Sequence, residues 1–266
     1  MIKFEKLEVV GWEHAIRGMR NPLNSWDKSD SGICVDGLCM DCEDKEICNY
    51  VYTDNTSYGF CLGKNDYNLM MKLRNSGPDH RKFMRKIIVY LDITAPLYWW
   101  KEFDTYKVGT VANSCSTMHK IHAKEFVPTD FSCERLNERS WSVFEDTINE
   151  LNYNREMFIK TKDKMYWEQM IQLLPTSYNQ KRTVMLNYEV LTNIYRSRKN
   201  HKLKEWHELC DLIETLPYSE LITGSSEETS FQEDLDFFVN DCTNAQLEAL
   251  YKEVEKKLKE KGLVNV

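Results

Sequence analysis

The sequence predicts a mixed α/β (α+β) fold, in which a central sheet packs with a helical bundle. Strand and helix patterns mix along the chain without the regular alternation of βαβ units. The dinucleotide-binding fingerprint G-x-G-x-x-G does not occur, and neither does the phosphate loop G-x-x-x-x-G-K-[ST]. The 266 residues are 42% hydrophobic and 29% charged, which is typical of a globular protein with a sizeable core.

Local patterns predict the elements of the first part of the chain. Residues 1–10 alternate apolar and polar side chains with one slip in phase, which indicates a strand. A short helix is expected at residues 15–20, where Asn21-Pro22 stops it. Residues 24–63 combine Ser, Asp, Gly and Cys without a clear period and indicate a loop or insertion. Apolar residues at helical spacing predict a helix over residues 66–73.

The strongest strand signal in the chain is the β-branched apolar run at residues 87–91. After it, Thr94 is expected to cap a helix that has Pro96 in its first turn. The remaining predicted elements of this part are helices within residues 134–173, 188–198 and 203–216 and a short strand at residues 182–186.

The end of the chain differs in composition from the rest. Residues 225–241 carry six acidic side chains and no basic one, which indicates a solvated linker or flap. Apolar residues between 247 and 258 then predict an amphipathic helix that docks on the body or on a second subunit. We therefore expect an α/β domain at residues 1–224, with a cysteine-rich insertion at about 24–63, followed by an acidic linker and helix at 225–266.

The net charge and the hydropathy of the sequence restrict the kinds of partner and the compartment that we expect for the protein. The formal net charge of -7 argues against non-specific binding to nucleic acid, although a local basic groove remains compatible with it. No run approaches about 20 apolar residues, so no membrane span is expected. The first residues are a charged alternation and not the apolar core of a signal peptide, which favours a cytoplasmic protein.

Five of the nine cysteines fall in the predicted insertion. The spacing Cys34-x4-Cys39-x2-Cys42-x5-Cys48 places four thiols within fifteen residues, and four thiolates can hold a tetrahedral zinc ion. An iron–sulfur cluster is the weaker metal hypothesis. The asymmetric spacing matches no standard zinc knuckle. A surface loop with unbound cysteines is the alternative to both.

Two polar constellations could carry chemistry. The first, residues 106–119, offers hydroxyls, an amide and backbone N–H groups, which suit a phosphate or a planar heterocycle; alternatively it is a polar loop that caps the next helix. The second has the spacing N-x5-N-x4-R at Asn187, Asn193 and Arg198. On one helix Asn187 and Arg198 share a face, whereas Asn193 and Arg198 point about 140° apart.

A basic run at residues 196–204 accompanies the second constellation. It would accept a phosphate-bearing ligand, because guanidinium and ammonium groups bind phosphate oxygens. Alternatively, it is a solvated helix end that complements the helix dipole.

Together the two stretches resemble the flavin-dependent thymidylate synthases, whose signature reads R-H-R-x-x-S-x-N-E-x-S-x-R-Y. Laid on residues 106–119, the signature matches at Asn113 and Ser116. That family continues with an L-P helix end, an asparagine twelve residues after the proline, and then a second asparagine and an arginine. Leu174-Pro175, Asn187, Asn193 and Arg198 reproduce these spacings without a gap. The agreement covers roughly residues 85–215.

The chain also departs from the family at charged positions. The family's arginines and its glutamate are replaced at Tyr106, Val108, Ser114, Met118 and Ile171. One lost charge-assisted contact costs about 1.5–3 kcal/mol. The resemblance therefore leaves two possibilities open, a divergent enzyme and a relative that binds nucleotide or flavin without catalysis. A zinc-containing interaction module is the third hypothesis.

What the resemblance implies is a thymidylate synthase-complementing (ThyX-like) fold and a homotetramer with FAD at subunit interfaces. NADPH would reduce the flavin, and a one-carbon unit would pass from methylenetetrahydrofolate to C5 of dUMP or a related pyrimidine nucleotide. By carry-over, Ser116 and Arg198 would face the nucleotide, and Asn113, Asn187 and Asn193 would face flavin or pyrimidine. Lys107, at the position of the signature histidine, would add positive charge to the flavin pocket.

Overall fold

The computed structural model describes residues 2–34 and 59–224 and confirms the mixed fold. The strands are β1 (Lys3–Val10), β2 (Gly32–Cys34), β3 (Gly59–Cys61), β4 (Ile88–Pro96), β5 (Val111–Ser114) and β6 (Asn179–Asn187). The helices are α1 (Trp12–Arg20), α2 (Lys64–Arg74), α3 (Leu97–Phe103), α4 (Glu138–Thr161), α5 (Lys164–Leu173), α6 (Tyr188–Arg198), α7 (Lys204–Glu214) and α8 (Glu220–Thr223).

The central sheet is antiparallel and has the strand order β1-β4-β6-β5. Alternate residues of β4 are buried, because successive side chains of a strand point to opposite faces. This buried face packs against helices α1, α2, α3, α6 and α7 in one large apolar cluster that also includes Trp99, Trp100 and Trp206. We call the sheet with these helices and α8 the sheet body.

The opposite face of the sheet is polar. The Lys181 ammonium lies 3.3 Å from Glu5 and 2.9 Å from Asp92, and the Thr183 hydroxyl donates to Asp92 at 2.6 Å. Hydrogen bonds from Thr183 and Lys181 lower the pKa of Asp92, and those from Lys3 and Lys181 lower the pKa of Glu5. A ladder of cross-strand polar pairs therefore replaces apolar packing on this side.

Helices α4 and α5 form a helical hairpin with a separate small core. Its helix starts are set by side-chain caps: Asn137 accepts from the Ser140 N–H, and Asp163 accepts from the Met165 N–H, both at 2.9 Å. Seven buried residues form the core: Ile121, Phe126, Phe131, Phe144, Ile148, Leu151 and Met170. The hairpin thus adds a second apolar centre beside the sheet body.

A buried ion pair lies at the base of the predicted insertion. Asp66 is 0% exposed and accepts from Arg20 Nε at 2.6 Å and from the hydroxyls of Ser29 and Ser31 at 2.7 and 2.6 Å. Burial alone would raise the pKa of Asp66, but the two hydroxyls and the guanidinium lower it overall. Strands β2 and β3, which pair as a two-stranded ribbon, bring the two ends of the insertion together next to this ion pair.

Several sequence predictions are confirmed and one is wrong. The slip in phase of the first strand is an irregularity between Glu5 and Glu8, where Lys6 has a φ of 55°. Thr94 does not cap α3, because pairing with β6 extends β4 through Pro96, and the helix begins at Leu97. Strand β5 was not expected from its sequence.

The predictions for residues 225–266 lie outside the described residues. Of the four candidate zinc ligands, Cys39, Cys42 and Cys48 lie outside them as well, and Cys34 is the last residue of β2. No helix in the described part of the chain combines the length and hydrophobicity of a membrane span.

Candidate functional site

The edge strand β5 brings Ser116 to the end of the sheet. β5 pairs with β6 from Val111 to Ser114, and the pairing continues where the Cys115 N–H donates to the Lys181 carbonyl at 2.9 Å. The Ser116 hydroxyl oxygen then accepts from the N–H groups of Met118 and His119 at 3.2 and 2.9 Å. This turn fixes the oxygen while its own proton stays available, so Ser116 can donate to a ligand.

Ser116 lines a cavity of about 1290 Å³ between the end of the sheet and the helical hairpin. Aromatic rings, amides and lysines contribute to its wall, among them Trp141, Tyr178, Asn179 and Lys120. Lys120 is exposed and makes no ion pair with the described residues, so its charge is free for an anionic ligand. Burial raises the pKa of Tyr178, which keeps that phenol protonated. We call this space the Ser116 cavity.

Three more lysines of the cavity wall, Lys3, Lys124 and Lys181, are already paired. The Lys3 ammonium lies 2.9 Å from Glu5. Lys124 forms an ion pair with Asp130, and Lys181 pairs with Asp92 and Glu5 on the outer face of the sheet. These pairs leave Lys120 as the cation of the wall that would attract phosphate most strongly.

Arg198 does not contribute to the wall of the Ser116 cavity. Its Nε donates to the Tyr106 hydroxyl at 3.0 Å, and its Nη1 donates to Glu102 at 3.1 Å. The guanidinium also lies over the Trp206 ring, 4.7 Å from its centroid. The arginine therefore joins α6 to α3 and α7 through a carboxylate and two rings.

Asn187 caps α6 and contacts the loop before β5. Its Oδ1 accepts from the Val190 N–H at 3.0 Å, and its Nδ2 donates to the Gly109 carbonyl at 3.4 Å. Asn187, at the cap of α6, and Arg198, at its last residue, both contact residues 102–109. Neither contact was assigned from the sequence.

The other carried-over residues lie on the surface. Lys107, Asn113 and Asn193 are exposed, and their side chains make no hydrogen bond with the described residues. Lys107 lies in the loop before β5, Asn113 on the edge strand, and Asn193 on the solvent side of α6. A single chain thus brings Ser116 to the cavity but does not gather Lys107, Asn113, Asn187, Asn193 and Arg198 around it.

Two arginines close in sequence to the replaced family arginines are also engaged. Arg182 donates to Asp104 at 2.7 Å and lies over the Trp100 ring, 4.1 Å from its centroid. Arg85 pairs with Glu189 on α6. These residues consequently serve contacts within the chain.

Sequence reasoning missed the partners that hold the site in place, chiefly Glu102, Gly109 and Trp206. No motif marked Glu102 or Gly109, and the family pattern placed Trp206 only as a tryptophan one residue late, since each is defined by a contact between distant parts of the chain. Among residues 2–34 and 59–224, His, Cys, Asp and Glu side chains form no group of three that could hold a metal ion. The zinc hypothesis for Cys34, Cys39, Cys42 and Cys48 stays a prediction, to be tested by metal analysis of anaerobically purified protein.

Comparison with known proteins supports the fold. Two crystal structures of thymidylate synthase X from Helicobacter pylori, both with FAD and dUMP, superpose with TM-scores of 0.56 and 0.54 at 16% sequence identity. The matches cover 84% and 82% of this chain and 98% of each Helicobacter chain. No protein-family model matches the sequence, and neither does any curated protein. The likeness shows a thymidylate synthase X-like fold.

Proposed function

We propose that this protein is a divergent enzyme of the flavin-dependent thymidylate synthase type. It would use FAD and NADPH to transfer and reduce a one-carbon unit from methylenetetrahydrofolate at C5 of dUMP or a related pyrimidine nucleotide. The observation that carries the proposal is the fold match, which spans nearly the whole length of proteins crystallised with FAD and dUMP. The ordered spacing from Asn113 to Arg198 supports it independently.

The residues of the Ser116 cavity suit a pyrimidine nucleotide. The volume of the cavity, about 1290 Å³, is larger than the roughly 300–1,000 Å³ of most small-molecule sites, so a nucleotide has room in it. Lys120 would attract the phosphate, the Ser116 hydroxyl would donate a hydrogen bond, and the rings of Trp141 and Tyr178 offer apolar surface to a base. We therefore assign the nucleotide to this cavity.

The exposed residues Lys107, Asn113 and Asn193 suit a flavin. Carboxamides present a donor and an acceptor side by side, which matches the imide edge of an isoalloxazine or a pyrimidine, and Asn113 and Asn193 are free to do so. Lys107 would place a positive charge nearby. FAD, when bound, would supply the electrons taken from NADPH, while the side chains of this protein bind, orient and shield the reactants.

A second copy of the chain would complete the site. Lys107, Asn113 and Asn193 lie outside the Ser116 cavity, and the apolar side chains of Val108, Val111 and Met118, close in sequence to Lys107 and Asn113, are 92%, 57% and 49% exposed. Exposed apolar surface next to unused polar groups is typical of subunit contacts. A homotetramer with shared sites is the assembly that we propose.

Flavin absorbance and turnover test the proposal. We expect the purified protein to be yellow or to take up added FAD, and to release tritium from C5-labelled dUMP in the presence of NADPH and methylenetetrahydrofolate. Ser116→Ala should lower the affinity for dUMP about 10- to 150-fold, since one hydrogen bond to a charged group contributes about 1.5–3 kcal/mol. Ser76→Ala, at an exposed serine of α2's end, is the matched control. A colourless protein that does not bind added FAD contradicts the proposal.

A relative without catalysis is the second candidate. The specific observation in its favour is that Tyr106 has replaced a family arginine and now serves as the acceptor for Arg198. Binding of FAD and dUMP without NADPH-dependent tritium release would support this candidate, and turnover would eliminate it.

A further inference from the structure

Helix α6 holds residues 102–109, which we call the lead segment because they lead into β5. Arg198 contacts the lead segment near its beginning, at Glu102 and Tyr106, and Asn187 contacts it near its end, at Gly109. Asn187 is the N-cap of α6 and Arg198 is its last residue, so the two holding residues lie about three helical turns apart. The lead segment is thus fixed at both ends by a single rigid element.

The contact at Arg198 is built around one oxygen atom. Glu102 Oε2 accepts from Arg198 Nη1 at 3.1 Å and from the Trp206 indole at 2.8 Å, and His201 Nε2 lies 3.5 Å away. The carboxylate therefore balances the charge of the guanidinium, whose Nε is already committed to Tyr106. An arginine so paired and stacked is held in one orientation.

The contact at Asn187 is a close approach of the Gly109 backbone to two side chains. Gly109 has a φ of 81°, and a Cβ at this position would lie 2.9 Å from Asn187 Nδ2 and 3.1 Å from Val190 Cγ2. Both ends of the Asn187 carboxamide are in use, one in the α6 cap and one on Gly109. Only glycine allows the loop to approach the helix this closely.

We infer that Asn187 and Arg198 are positioning residues, which act on the site through the lead segment and do not touch the ligand. By fixing Tyr106 and Gly109 they set where β5 starts, and β5 carries Asn113 and leads to Ser116. The inference revises the roles that the sequence pattern gave to these two residues. Its ligand-binding consequence rests on the proposed function, but its structural consequence does not.

The variant Asn187→Asp isolates the contact with Gly109. Aspartate still accepts from the Val190 N–H and keeps the cap, but it cannot donate to the Gly109 carbonyl. We expect backbone amides of residues 107–116 to exchange hydrogen about three- to tenfold faster in the ligand-free protein, as the loss of one hydrogen bond predicts. The thermal midpoint should fall by only about 2–4 °C, as the loss of about 1 kcal/mol predicts, which separates local loosening from general destabilisation.

The variant Arg198→Lys isolates the other contact. Lysine keeps a positive charge beside Glu102 but lacks the planar fork that reaches Glu102 and Tyr106 together. The same amides should exchange faster, whereas Arg196→Lys, at an exposed arginine of the same helix, should leave them unchanged. Tyr106→Phe removes the acceptor of Arg198 Nε, so combining it with Arg198→Lys should add little to either single effect.

Ligand-binding measurements distinguish a positioning role of Asn187 and Arg198 from direct contact with the ligand. If Asn187→Asp and Arg198→Lys leave amide exchange of the free protein unchanged but abolish dUMP or FAD binding, the residues are ligand contacts and the inference is wrong. If the protein binds neither dUMP nor FAD, the proposed function fails, and the exchange rates still decide the inference.

Discussion

The sheet body and the helical hairpin are stabilised by different means. The sheet body combines its apolar core with buried charges: Arg20 pairs with Asp66, and the Arg74 guanidinium donates to the carbonyls of Leu221 and Ile222 at 3.0 and 3.3 Å. The hairpin core consists of seven apolar residues, and the buried polar residue of α4, Asn154, donates only within its own helix. The Ser116 cavity lies where these two regions meet.

The difference indicates how the walls of the cavity behave. Buried charges hold the sheet body, whereas the hairpin combines its small apolar core with hydrogen bonds that join Asn152 and Arg155 to the backbone of Phe126 and His122 and has no buried ion pair among the described residues. We therefore expect the hairpin to open locally at a lower free energy than the sheet body.

The largest effect should follow removal of the buried carboxylate from the sheet body. Asp66→Ala leaves Arg20 buried without a counter-charge, and it should lower the free energy of unfolding by about 3–5 kcal/mol. Urea denaturation measures this loss. Asp79→Ala is the control, since that side chain is 95% exposed and should change stability by less than about 0.5 kcal/mol. Equal losses in both variants would contradict the role of buried charge.

A matching substitution in the hairpin tests whether the two regions unfold separately. Leu151 is fully buried, and Leu151→Ala should cost about 2–4 kcal/mol. We expect amide exchange to rise in α4 and α5 while the most protected amides of β4 and β6 keep their rates. Ile159→Ala, on the same helix but 40% exposed, should do much less. A uniform rise in exchange would show instead that the two regions form one cooperative unit.

A smaller change in the free energy of unfolding should follow substitution at the contact between Gly109 and Asn187. Gly109→Ala forces alanine into a left-handed conformation, at about 1–2 kcal/mol, and adds a collision with Asn187. Gly77→Ala is a close control, because Gly77 also has a positive φ but nothing lies within 4 Å of its Cβ position. The difference in unfolding free energy between the two variants measures the close approach alone. Equal unfolding free energies for Gly109→Ala and Gly77→Ala would contradict the close approach of Gly109 to Asn187.

The smallest effect is the pH dependence of the sheet body. The pKa of Asp66 is lowered in the folded state, so its contribution is present above the unfolded value of about 3.9 and is lost as the pH falls through the folded pKa. The free energy of unfolding should therefore fall on acidification by up to about 1.4 kcal/mol per pH unit and per group. Asp66→Asn should remove this slope in denaturation curves between pH 5 and 2, and an unchanged slope would assign it to other carboxylates.

Much of the fold could be predicted because local patterns decide it. Helix α6 has the predicted bounds, since Asn187 caps it and its apolar residues keep a helical period. β5 could not be predicted, because all four of its residues are exposed and only pairing with β6 makes them a strand. For the same reason Thr94 belongs to β4 and not to a helix cap.

The candidate site was predictable only in part. The spacing of Asn187 and Arg198 predicted a common face, but not what that face contacts. Their partners lie 78 to 96 residues away in the sequence, at Gly109, Tyr106 and Glu102. Contacts at such separations depend on the completed fold, so motif spacing alone assigned these residues to ligands.

The ribbon of β2 and β3 makes the chain suitable for grafting. Because Cys34 pairs with Gly59 and the Asp66 ion pair fastens the chain on both sides, the ends of the intervening stretch lie side by side. Doubling the length of a flexible loop between fixed ends costs only about 0.6 kcal/mol. A segment grafted between Cys34 and Gly59 would accordingly leave and rejoin the protein at neighbouring points.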